Sequence, residues 1–143
     1  KTVVLIFDEA QLLSIGSLHE LRLITNFRMD SYEPFLLILA GQSELRRMMD
    51  FAVMEPFAQR LRLRYHMPPL PPEQTPPFVE HQLKLAGCPD PVFTPDAVAA
   101  LHQQALGIPR RIGNIATQAM LYAMYDDKRT IDADMILKVK TGG

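Results

Sequence analysis

The chain has 143 residues, 48% of them hydrophobic and 22% charged, a balance ordinary for a globular protein of one domain or of two small ones. A formal net charge of −1 gives no overall attraction to nucleic acid or to an anionic membrane, although local patches are left open. One cysteine, Cys88, excludes an internal disulfide and any multi-cysteine metal site, and no apolar run approaches the roughly 20 residues needed to cross a bilayer. A single thiol fits a reducing compartment, so the expected location is cytoplasmic.

Val3-Val4-Leu5-Ile6-Phe7 runs apolar without a break and stops at Asp8-Glu9. Such a run predicts a strand buried on both faces of a parallel sheet, with the two carboxylates just beyond its carboxyl end, where ligands of such sheets bind. Lys1-Thr2 leads straight into this strand, with no Met and no leader pattern, which predicts a piece cut from a longer polypeptide. Ser14 or Ser17 is expected to cap a helix through Leu18, Leu21 and Ile24. Residues 25–33 read as a polar turn, and Pro34 to Ala40 as a second buried strand ending at Gly41-Gln42. Strand, helix and strand in this order predict a parallel crossover.

Ser43 to Met49 reads as a short helix with Ser43 as its cap, and Glu55 to Arg60 as another. Leu61 to His66 alternates apolar with basic residues, which predicts a third strand exposed on one face. Pro68, Pro69, Pro71 and Pro72 then end the sheet, since proline cannot donate to a ladder. The remainder reads as all helix. The predicted helices run over 75–86 with Gly87 as a stop, from Thr94-Pro95-Asp96 to Gly107, from Pro109 to Tyr125, and from Thr130-Ile131-Asp132 through Ile136.

Four groups stand in order along the chain: Leu5-Ile6-Phe7-Asp8-Glu9, Ala40-Gly41-Gln42, Gln59-Arg60, and Gly107-Ile108-Pro109-Arg110-Arg111-Ile112. Together they resemble the Walker B, sensor 1, arginine-finger and sensor 2 elements of an AAA+ ATPase. The phrases Asp-Glu-Ala-Gln-Leu-Leu, Leu-Ala-Gly-Gln-Ser-Glu-Leu and Gln-Arg-Leu-Arg-Leu-Arg-Tyr-His are similar to the ExeA-like group, associated with type II secretion and, through related proteins, with DNA transposition. The fold the resemblance implies is α/β: a truncated parallel αβα nucleotide-binding sheet over residues 1–70, then a small all-helical lid domain over 71–143.

The resemblance implies that Asp8 coordinates Mg²⁺, that Glu9 activates the attacking water, and that Gln42 contacts that water or the γ-phosphate. Arg60 corresponds to the finger that reaches a neighbouring subunit's nucleotide. Arg62 and Arg64 compete for that role but also suit a plain solvated basic face. Arg110 corresponds to sensor 2; Arg111 points about 100° away around the helix, so one of the two is expected to face nucleotide. The implied cofactors are ATP and Mg²⁺, and the implied partners are further copies in a ring or filament and a protein of a secretion or transposition machinery. DNA is a further candidate, through Arg60, Arg62 and Arg64 with Lys138 and Lys140 elsewhere.

No Gly-x-x-x-x-Gly-Lys-Ser/Thr occurs in the sequence, so the chain is expected to be inactive alone, its parent hydrolysing ATP. The alternative is a non-hydrolysing interaction module on the same scaffold. His19, His66, His81 and His102 have no metal-ligand spacing and read as surface or interface residues, and Cys88 reads as a loop cysteine.

Overall fold

The computed structural model describes residues 3–25, 35–88 and 90–139. The chain divides into two compact units, Lys1–Tyr65 and His66–Gly143, each with its own core. The polar turn expected over 25–33 falls almost wholly outside the described residues, as do Pro34 and Lys140.

In the first unit, β1 (Val3–Phe7) pairs in parallel with β2 (Phe35–Leu39), in a register that sets Val4 beside Leu36 and Phe7 beside Leu39. Helix α1 (Ile15–Thr25) follows β1. Of the two expected caps it uses Ser14, whose Oγ accepts from Ser17 N at 3.0 Å. Helices α2 (Ser43–Met49) and α3 (Glu55–Ala58) follow β2. The cap position of α2 is Gln42 rather than Ser43, whose hydroxyl turns to Glu44 instead. Leu18, Met49, Met54 and Phe57 form the core of this unit, with Leu37 and Leu39 of β2 packed against it.

Alternation along a strand then decides which sheet face is covered. Leu37 and Leu39 turn to the helices, whereas Val4, Ile6, Leu36 and Ile38 are 46%, 66%, 53% and 40% exposed. The expectation of strands buried on both faces is thus corrected: among the described residues, the helices cover Leu37 and Leu39 of β2, while Val3 and Leu5, on the same face of β1, are themselves 55% and 37% exposed. The apolar run encodes a demand for cover but not its source.

The expected third strand, Leu61 to His66, is also corrected, because these residues carry no regular structure, with a bend at Arg62, and pair with no described strand. Period-two alternation becomes a strand only beside a partner. Arg64 instead folds back, its Nη2 donating to Ala58 O at 3.0 Å and its Nη1 lying 3.9 Å from Asp50 Oδ1.

The second unit is all helical: α4 (Thr75–Leu85), α5 (Pro95–Ala105), α6 (Pro109–Tyr125) and α7 (Ala133–Lys138). Its start signals act as their chemistry dictates. Thr94 Oγ1 accepts from Ala97 N, Asp132 accepts from Met135 N at 3.0 Å, and Pro109 opens α6 where no helical N–H is needed. Leu101, Ile112, Ile115, Ile131 and Ile136 make the apolar centre, and the burial of each contributes about 1.5–3 kcal/mol.

The turn between α5 and α6 is the tightest place in this unit. Leu106 and Gly107 both adopt positive φ, 55° and 69°. Gly107 O accepts from Leu70 N at 2.8 Å, and a Cβ on Gly107 would sit 2.2 Å from Leu70 O and 3.2 Å from the His102 ring. That ring is half-buried, and its Nδ1 lies 2.7 Å from the hydroxyl of fully buried Thr75. His102 is therefore a packing residue of the second unit rather than a surface one.

Gly107→Ala meets both left-handed strain and backbone overlap, and is expected to lower unfolding free energy by more than about 1 kcal/mol in denaturant titration. Gly113→Ala, inside α6 with nothing within 4 Å, is expected to raise it by roughly 0.5–1 kcal/mol. The same sign for both would contradict this packing. Asp96, in the first turn of α5, is held below its ordinary carboxylate pKa, chiefly by the Thr94 hydroxyl and then by backbone N–H groups. A depressed folded value makes its stabilisation present above the unfolded value of about 4 and lost as pH falls through the lower folded value. The stability difference between wild type and Asp96→Asn, followed by thermal melts across acid pH, should therefore shrink in that window.

Candidate active site

The candidate site is built where β1 and β2 end side by side. The ladder continues one step past the strands: Ala40 N donates to Phe7 O and Ala10 N to Ala40 O, both at 2.8 Å. Glu9 lies between these anchors and must turn sharply; its φ of 51° and ψ of 37° are left-handed, an uncommon state for a residue with a Cβ. Asp8 Oδ1 accepts from Glu9 N at 2.8 Å and braces the turn, after which Ala10–Leu12 forms one tight helical turn. Both acidic side chains are exposed, while Ala10 beneath them is fully buried. The acidic pair is thus presented to solvent from a rigid base.

Gln42 joins the pair from the end of β2, its Nε2 donating to Glu9 Oε2 at 3.2 Å. Gln11, which the sequence offered only as part of the Asp-Glu-Ala-Gln phrase, is the residue that reading missed. Its Nε2 donates to the same Glu9 oxygen, and its Oε1 accepts from Gln42 N at 3.1 Å. Gly41 makes this approach possible, since a Cβ there would stand 2.6 Å from Gln11 Oε1. The only signal in the sequence was spacing: one residue beyond a tight turn, a long amide can reach back.

Asp8, Glu9 and Gln42 therefore come together within the first unit. Arg60 belongs to the same unit, exposed in the turn after α3, with its N–H donating to Phe57 O at 3.0 Å. Arg110 belongs to the second unit, exposed in the first turn of α6. Arg111, beside it, donates from Nη2 to Gln104 O at 3.4 Å and is occupied within that unit.

The donor set suits Mg²⁺ of the phosphate-bound kind. That ion is usually held by one or two carboxylates together with water and substrate phosphate rather than by a protein cage. Asp8 offers one exposed carboxylate, and no cluster of three or more His, Cys, Asp or Glu stands among the described residues. No helix among them is long and apolar enough to cross a membrane.

Residues 1–49 match the AAA domain family. Over 123 residues, 86% of the chain, the sequence is 40% identical to General secretion pathway protein A of Aeromonas hydrophila, of which the chain spans 22%. Among solved structures, a mutant RuvB of Thermotoga maritima superposes with a TM-score of 0.70 at 18% identity, over 94% of this chain and 43% of that one. The RuvB Holliday junction branch migration motor of the same organism gives 0.66 at 13% identity, over 96% of this chain and 52% of that one. These structural likenesses speak to the fold alone: a parallel α/β sheet followed by a helical unit. With that fold, the AAA domain match over the acidic pair and the long stretch shared with the secretion protein, the chain belongs to the AAA+ ATPase family, in its ExeA-like branch.

Proposed function

We propose that this chain carries the water-activating side of an ATP-hydrolysis site, and that the protein containing it couples nucleotide state to the remodelling of a protein partner. The observation that carries the reading is the convergence of Glu9 and Gln42 on one hydrogen bond beside Asp8, at the ends of two parallel strands. Glu9 takes a proton from the water whose oxygen bonds to the γ-phosphorus as the bond to the β–γ bridging oxygen breaks and ADP departs. Gln42 orients the Glu9 carboxylate and offers its amide to the same water. Asp8 would hold Mg²⁺, which when bound supplies charge neutralisation on the phosphates.

Arg60, exposed beyond α3, suits a guanidinium that acts on a neighbouring copy's nucleotide, so that hydrolysis requires assembly. Arg110 is the better candidate for the nucleotide-sensing arginine of the helical unit, because Arg111 is engaged by Gln104. Nucleotide state would then be transmitted by movement of α6. The 40% identity to a secretion-pathway protein favours a partner in a secretion apparatus over one in DNA transposition.

The test places this chain in a polypeptide that supplies a phosphate-binding loop. Glu9→Gln should keep ATP affinity within about twofold while lowering kcat by roughly 10²–10⁴, read as phosphate release beside equilibrium nucleotide binding. Undiminished turnover would remove Glu9 from the reaction and favour a binding module. Arg60→Ala should lower kcat by about 10³ or more, and mixing it with the Glu9→Gln protein should restore part of the activity, because each variant lacks what the other supplies across the interface. A mixed assembly that stays inactive would exclude the finger role.

A further inference from the structure

The side chain of Gln11 makes two hydrogen bonds that no role in the reaction has yet claimed. Its amide closes a ring: Glu9 carboxylate to Gln11 Nε2, Gln11 Oε1 to Gln42 N, and Gln42 Nε2 back to the same carboxylate oxygen. The sense of the Gln11 amide follows from its partners. Turned over, it would set its NH₂ against the Gln42 N–H and its oxygen against Glu9 Oε2, two repulsive contacts in place of two bonds.

The backbone admits this ring at two special points. Glu9 is left-handed, which carries its side chain toward β2, and Gly41 leaves room that any Cβ would fill. The ladder bonds of Ala10 and Ala40 fix both strand ends on either side. Gln11 itself is only half exposed, unlike Glu9 and Gln42. It spans the gap between the two strand ends without occupying the open surface where a ligand would arrive.

We infer that Gln11 is a positioning residue: it splints the Glu9 carboxylate to the Gln42 backbone, so that Oε2 is held by two amides and Oε1 is the oxygen that meets the water. Among the described residues, the hydrogen bonds to the Glu9 carboxylate all fall on Oε2. The inference rests on the hydrolase reading for its consequence, though not for its geometry. A carboxylate free to rotate about its terminal torsion would offer its basic oxygen to water only part of the time.

Two substitutions probe the splint. Gln11→Ala removes both bonds. Gln11→Glu removes the donor to Glu9 and sets a carboxylate oxygen against Glu9 Oε2, so the splint is broken by repulsion rather than by absence. In the 143-residue chain, amide exchange at Gln42 followed by NMR should quicken at least about tenfold in the Ala variant. In the polypeptide with a phosphate-binding loop, both variants should lower kcat by about 10–100-fold, with KM for ATP within about twofold of wild type.

Wild-type turnover in Gln11→Glu would reduce Gln11 to a structural brace and overturn the positioning role. Unchanged Gln42 exchange in Gln11→Ala would overturn the splint itself. Lack of turnover in the wild-type polypeptide would instead sink the hydrolase reading and the positioning role with it, while the exchange result would still judge the geometry. The two failures are thereby told apart.

Discussion

The pair of backbone hydrogen bonds that extends the ladder past β1 and β2 is the constraint on which the site depends. Ala40 N to Phe7 O and Ala10 N to Ala40 O tie the two strand ends together immediately before and after the acidic pair. With both neighbours pinned, Glu9 has to accept a left-handed backbone, a state that costs a residue with a Cβ about 1–2 kcal/mol. Strain of this kind persists only where the surroundings over-determine it, and here they do: Ala10 is fully buried beneath the turn, and Asp8 braces it from one side.

The helical unit is organised by a different device. Its core is continuous from α4 to α7, and one tight turn decides where α6 begins. Gly107 sits against the Leu70 backbone, with the His102 ring beside it and Thr75 holding that ring. Ile108 and Pro109 then set the first turn of α6, so the direction of Arg110 is inherited from contacts deep in the unit. Shape at the base of the helix thus sets what is offered at its tip.

Much of this was legible in the sequence wherever the determining chemistry is local. Thr94 and Asp132 cap their helices, Pro109 opens one, and the apolar run before Asp8 marks a parallel strand, because each signal acts within a few residues. Asp8 and Glu9 could be singled out from their place at the end of an apolar run, and Gln42 through the family resemblance. What escaped the reading depends on partners far along the chain. Gln11 matters through Gln42, 31 residues away, and His102 through Thr75, 27 residues away, and no spacing rule encodes either. The alternation at 61–66 promised a strand, but pairing is a property of two segments, and Arg64 found the end of α3 instead.

The sheet face left open among the described residues has a bearing on how this chain behaves at high concentration. Val4, Ile6, Leu36 and Ile38 form an aliphatic patch, the kind of surface that adheres to copies of itself whatever its biological cover. Such adhesion strengthens when sulfate salts are added, whereas a guanidinium reaching for phosphate weakens as ionic strength rises. The direction of the salt response therefore separates stickiness from assembly.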